Sequence, residues 1–186
     1  NGAVSLGSWK LAPALAMGNT VILKPPAEAP GSSVLLAELA LQAGFPKGAV
    51  NVVIGDAAVS EALATHPGVA MVSFTGSTAT ARILGAKVAA GMKRFVCEAG
   101  GKSAHIVFED ADLDSAVIAA TQGAFSAAGQ TCVAGSRILV HASLYDTFLE
   151  RYVASARRIR LGHPASPASH VGPVASRRQF ERIMGF

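Results

Sequence analysis

Short runs of β-branched and other apolar residues alternate with longer alanine-rich stretches along the first hundred positions. "TVILK" (20–24) reads as a buried strand, and "SSVLLAELALQAG" (32–44) as a helix closed by Gly44. "AVNVVIG" (49–55) reads as the next strand and "AAVSEALATH" (57–66) as a helix stopped ahead of Pro67, because proline disfavours helical backbone in the residue before it. A strand "AMVSFTG" (70–76), a helix over 78–90 and a strand "RFVCE" (94–98) continue the alternation. The second half adds strands "AHIVFE" (104–109) and "RILVHA" (137–142) and helices over 112–127 and 144–160. A Gly/Pro/Ser/His-rich loop (162–173) then leads to a helix-like ending, "RRQFERIMGF".

Strand, helix and strand at this spacing predict βαβ units, hence an α/β fold with a parallel sheet flanked by helices. The paired glycines of "EAGGKS" (98–103) interrupt that order and mark the best internal boundary. No repeat and no low-complexity tract is present.

Composition narrows the picture. With 186 residues, 51% of them apolar and 15% charged, the chain has ample material for a packed core and too little charge for disorder. Charge is uneven: positions 1–150 carry nine Lys/Arg against eleven Asp/Glu, whereas 151–186 carry seven Arg against Glu181 alone. The basic tail has one aromatic residue in "RYVASARRIRLGH" and no repeated basic motif, so nucleic acid is not an expected partner. A solvated or partner-facing helix is. The two cysteines, Cys97 and Cys132, make no disulfide framework and no metal spacing, which favours a reducing compartment and no metal site. No apolar run reaches the ~18–20 residues of a membrane span, and no basic-then-apolar signal opens the chain. Membrane insertion is therefore not expected, and a cytoplasmic location is. The chain opens on Asn rather than Met and stops within a helix-like pattern, so it is expected to be cut from a longer protein, targeting signals included.

Candidate chemistry sits at strand ends, where parallel sheets bind ligands and helix N-termini point amide hydrogens outward. Lys24 leaves the first strand tip ahead of the stiff Pro25–Pro26 pair. "FTGSTATAR" offers Gly76 for close approach, with Ser77 and Thr78 at a helix start; this is either a phosphate site or an ordinary turn with an N-cap. A dinucleotide fingerprint is absent, since "GDAAVSEA" holds only Gly55. Glu98, at a strand tip beside glycines, reads as a general base or as a boundary carboxylate bonded to a nearby amide. Cys132 lies among the smallest residue types in "GAFSAAGQTCVAGSR" (123–137). It reads as a nucleophile with room for an electrophile, or as a small core residue. Cys97, between Val96 and Glu98, reads as core. His66, His105, His141, His163 and His170 are scattered, and none suits the base role better than Glu98.

In this order, "WKLAPALAMGNTVILKP", "FTGST", "EAGGKS", "GQTCVAGSR" and the later "GP…RRQFERIMGF" resemble the aldehyde dehydrogenase superfamily across essentially the whole chain. The resemblance implies a Rossmann-like cofactor domain over 1–98, running into the start of an α/β catalytic domain over 99–186. It implies an oxidoreductase that turns an aldehyde into a carboxylic acid with NAD or NADP. Cys132 is then the nucleophile that forms a thiohemiacetal and afterwards a thioester, and Glu98 the base for hydrolysis rather than transfer to coenzyme A. Asn1, eight residues before Trp9, is the oxyanion-hole amide, Lys24 the adenosine-ribose ligand and Ser77 the pyrophosphate contact. Ala27, Gly55, Gly76 and Ala99 complete the cofactor contacts. The sequence departs from the pattern at Ala27, where NAD-preferring members commonly carry Glu; Glu28 comes one position later, which leaves NADP open. It departs also at Ala99, at Ala81 and in the "GA" after Asn1. The family precedent implies a homo-oligomer, dimer or tetramer, for the full-length protein and little or no turnover by the isolated 186 residues. A non-catalytic, nucleotide-binding member of the same fold is the alternative; it gives no reason for Cys132, Glu98, Asn1 and Lys24 to occur together.

Overall fold

The first element of the computed structural model, which describes residues 2–186, is a helix that the hydrophobic pattern does not announce. α1 (Ala3–Ala16) is apolar on most sides, and Gly7 and Pro13 weaken its helical signature. Tertiary packing overrides that weakness. A Cβ at Gly7 would stand 3.4 Å from Leu36 Cδ1 of α2 (Gly31–Gln42), within contact distance, so the two helices pack closely here. Leu11 of α1, Ala40 of α2 and Val50 form one buried cluster, with Leu15, Val21 and Ala37 packed around it.

Residues 2–99 form one unit and Gly100–Phe186 a second. In the first, β1 (Val21–Leu23) pairs in parallel with β2 (Val50–Val52). β3 (Met71–Gly76) likewise pairs with β4 (Arg94–Ala99), in a register that runs from Met71 opposite Arg94 to Gly76 opposite Ala99. β1 and β2 are shorter than the apolar runs that announce them, whereas β3 and β4 nearly match theirs and β4 runs one residue further, to Ala99. β1 ends where Pro25 and Pro26 follow, since proline offers no N–H to a ladder, and β2 stops with it although the run extends to Gly55. α3 (Ala57–Thr65) begins at Asp56, whose carboxylate accepts from the Ala58 and Val59 amides. It ends at His66, in extended backbone before Pro67. α4 (Thr78–Ala90) is capped by Ser77. Ala64, Leu84 and the fully enclosed Val88 then pack α3 and α4 onto Val72, Phe74 and Phe95. Burial of each such branched side chain contributes about 1.5–3 kcal/mol.

The second unit pairs β5 (Ala104–Val107) in parallel with β6 (Arg137–Val140). α5 (Leu113–Phe125), capped by Asp112, and α6 (Tyr145–Arg157) cover this ladder. Its core is Val107, Val117, Ala120 and Phe148, and Tyr152 stacks with ring centroids 6.3 Å from Phe125 and 5.8 Å from Phe148. α7 (Arg177–Met184) closes the chain and starts at a Ser176 cap. The architecture is the expected α/β one, with parallel strands and flanking helices. Among the described residues no helix is long and apolar enough to cross a membrane.

Candidate active site

Parallel pairing sets the carboxyl ends of β3 and β4 side by side, so Thr75 lies opposite Glu98 and Gly76 opposite Ala99. Gly76, Ser77, Glu98 and Ala99 therefore share one edge. The glycine there answers to a neighbour: a Cβ on Gly76 would fall 2.5 Å from Cζ of the Phe74 ring. Ser77 Oγ accepts from the Thr80 amide at 3.2 Å and pairs with Thr80 Oγ1 at 2.9 Å. It is thus an N-cap, and the first turn of α4 carries no acidic side chain to neutralise the partial positive charge of the helix start. The Thr75 hydroxyl oxygen is buried and has no hydrogen-bond partner among the described residues. Glu98 itself is exposed.

Lys10 is the residue that sequence reading passed over. Its Nζ donates to Ser73 Oγ at 2.8 Å, tying α1 to β3. Burial pushes the Lys10 ammonium below its ordinary pKa, while the charges of Glu98 and Cys97 act in the opposite sense. Lys10, Glu98 and Cys97 are hence electrostatic neighbours. Without α1 in the predicted elements, nothing in "WKLAP" points its lysine at β3. Cys97 also requires a correction, because it is exposed rather than part of the core. Leu84 and Val88 cover Phe95, and Cys97 lies one pleat further toward the open edge, outside that cluster.

The β1–β2 ladder builds a second edge. The Val53 amide donates to the Leu23 carbonyl at 2.9 Å, which carries the two strand exits on together. Lys24 leaves β1 half-buried, ahead of a buried Pro25. Ala27 and Glu28 are exposed in a turn closed by the Ala29 amide on the Pro26 carbonyl at 3.1 Å. A Cβ at Gly55 would strike Val59 Cγ2 at 2.4 Å, so the first turn of α3 folds beneath this residue only because it is glycine.

Cys132 belongs to the second unit, where it is exposed in a turn closed by the Ala134 amide on the Thr131 carbonyl at 3.1 Å. Its small neighbours divide into two groups. Ala134 is buried, the Gly135 amide donates to the Gly123 carbonyl of α5 at 3.1 Å, and a Cβ at Gly135 would press on His105 Cβ at 3.2 Å. Those residues are small so that the chain can lie on α5 and β5. On the other side the backbone turns left-handed at Ala127, Ala128 and Gly129, with φ of 51°, 56° and 70°. This ends the helix expected to run to 127 and swings the chain out toward the cysteine. Gln130 reaches back, its Oε1 accepting from the Ala175 amide at 3.4 Å. Asn1 lies outside the described residues. Among the described residues no group of three or more His, Cys, Asp or Glu is placed to hold a metal ion.

Comparison with known proteins matches residues 1–186 to the aldehyde dehydrogenase family. A betaine aldehyde dehydrogenase of Mesorhizobium japonicum is 41% identical over 186 residues, which are 100% of this chain and 38% of that protein. PnpE of Pseudomonas sp. WBC-3, solved in complex with nicotinamide adenine dinucleotide, is 44% identical with a TM-score of 0.95, over 98% of this chain and 38% of its own. Betaine aldehyde dehydrogenase of Staphylococcus aureus, solved with NAD+, is 36% identical with a TM-score of 0.94, over 98% of this chain and 36% of its own. The chain thus spans less than two fifths of the length of these relatives.

Proposed function

The chain belongs to the aldehyde dehydrogenase family, and from that premise we propose that the whole protein oxidises an aldehyde to a carboxylic acid through a thioester on Cys132. The observation that carries the reading is the placement of Cys132: exposed on a turn whose small neighbours are packed away beneath it. A thiolate there is open to a carbonyl carbon.

In this reading the Cys132 sulfur bonds to the aldehyde carbon, and the carbonyl oxygen takes up the negative charge of a thiohemiacetal. The Cys132 amide and the Asn1 side chain donate to that oxygen, each contributing about 3–4 kcal/mol. A nicotinamide cofactor, when bound, supplies the hydride acceptor. The residues fit such a group. The α4 start offers amides and the Ser77 hydroxyl without a competing acid, as a pyrophosphate requires, and the orphaned Thr75 hydroxyl calls for a polar partner at the same edge. Lys24 would hold the adenosine ribose, with Ala27, Gly55, Gly76 and Ala99 forming the remaining contacts. Positions 1–98 then serve as part of the cofactor domain and 99–186 as the start of the catalytic domain. Loss of hydride leaves a thioester on Cys132. Glu98 takes a proton from water, the resulting hydroxide adds to the thioester carbon, and the C–S bond breaks to give the acid and the free Cys132 thiolate. Exposure of Glu98 suits a base that must meet water. Since NAD accompanies both solved relatives, NAD is the expected cofactor, and Ala27 places no carboxylate against a 2′-phosphate, so NADP is admitted as well.

Glu98→Gln in the full-length protein tests the division of roles. With aldehyde and NAD it should reduce about one equivalent of cofactor per active site and then stall. The Cys132 peptide should carry the mass of the acyl group. Undiminished steady turnover by this variant, or an acyl group on another residue, would contradict the assignment.

A further inference from the structure

The segment after α6 doubles back on itself at a narrow neck. The Arg160 carbonyl accepts from the His170 amide at 2.8 Å and the Val171 amide at 3.2 Å, the Gly162 amide donates to the Val171 carbonyl at 3.1 Å, and Arg160 Nε donates to the Ala168 carbonyl at 2.7 Å. One bond of the neck differs in kind: the Arg160 amide donates to Nδ1 of the His170 ring at 3.2 Å. An imidazole nitrogen that accepts carries no proton, so the ring is neutral with its hydrogen on Nε2.

We propose that His170 is an acid-sensitive latch: its neutral ring closes the neck of the 160–171 loop and releases it on protonation. Imidazolium has two N–H donors and no acceptor, so the Arg160 amide would then face another N–H. The cleft that His170 lines with α5 and the end of α6 contains Arg158 and no acidic side chain, and Ile118, Thr121 and Gln122 of α5 do not titrate. Arg160 is the charged partner within the neck. His163, the loop's other titratable group, accepts from the Ala165 amide within its own turn at 3.2 Å. A proton on His170 thus loses a hydrogen bond and finds no carboxylate among the residues lining the cleft to replace it. Of the other histidines, His66 and His141 also accept a backbone amide at Nδ1, but from a residue two positions on; among the described residues His170 alone joins positions ten apart.

Release matters beyond the loop, because the same segment runs on to Ala175, whose amide is held by Gln130 two residues before Cys132. Only that consequence rests on Cys132 being the nucleophile; the latch does not.

Hydrogen-exchange mass spectrometry on the full-length protein, corrected for the intrinsic pH dependence of exchange, tests the latch. Opening that takes up one proton should lower protection across 159–172 as pH is lowered, by up to about tenfold per pH unit. A peptide over 104–107 should stay constant. His170→Gln keeps an acceptor at every pH and should hold its loop protection down to about pH 5, well below the ordinary imidazole range. Constant protection in the wild type, or a parallel fall in the glutamine variant, overturns the proposal. So does nitrogen NMR at neutral pH if the His170 ring carries its proton on Nδ1.

Discussion

Glycine at position 76 illustrates how a residue that invites a ligand reading is set by its own neighbours. A methyl group there would enter the Phe74 ring, so Gly76→Ala should lower stability by about 1–3 kcal/mol, the usual cost of overpacking. In a Phe74→Leu background the same substitution should cost less in urea denaturation; an equal cost in both backgrounds would show that the ring is not the obstacle. Lys10 gives the second test at this scale. Burial holds its ammonium below the ordinary value of 10.5, against the opposing charges of Glu98 and Cys97. Between that lowered value and 10.5 the unfolded chain binds more protons than the folded one, so Lys10 favours folding increasingly as pH rises through this window. Stability of the wild type relative to Lys10→Met should accordingly climb with pH as 10.5 is approached. A difference independent of pH would contradict the burial of the charged group.

At the scale of elements, the turn leading to Cys132 is the least comfortable piece of backbone. Ala127 and Ala128 are both left-handed, which an L-residue other than glycine adopts at a cost of roughly 1–2 kcal/mol each. Ala127→Gly removes that cost but frees the unfolded chain, so thermal unfolding should show a net gain of up to about 1 kcal/mol. A clear loss of stability would mean that the methyl group is packed. Much of the element order was legible because apolar runs, Ser77, Gly44 and Pro67 are local signals with local effects. α1 was not, because the packing of Gly7 on Leu36 is a tertiary fact and an apolar helix containing Pro13 shows no clean period. The length of β2 was hidden likewise: its end depends on where β1 runs into Pro25, a residue distant in sequence. Cys97 read as core because its strand neighbours are apolar; how far α4 reaches over β4 is not written in those neighbours. Cys132 and Glu98 stood out through their small or glycine surroundings, but half of that smallness serves packing on α5 and His105, which only the fold reveals.

At the scale of the whole molecule, two α/β units carry different parts of one proposed chemistry: strand ends suited to a nucleotide in residues 2–99, and an exposed cysteine in Gly100–Phe186. The family match spans both. The relatives are more than twice as long as this chain, so the measurement belongs on the full-length protein. In the proposed chemistry Cys132 carries the substrate. The most direct measurement is the initial rate of aldehyde-dependent reduction of NAD, compared between the wild type and Cys132→Ala, with folding and NAD binding of both checked in parallel. The expected result is turnover by the wild type and a loss of at least about a thousandfold in the variant, with NAD binding retained. Turnover by Cys132→Ala near the wild-type rate, or none by a folded, NAD-saturated wild type across a panel of aldehydes, would contradict the account.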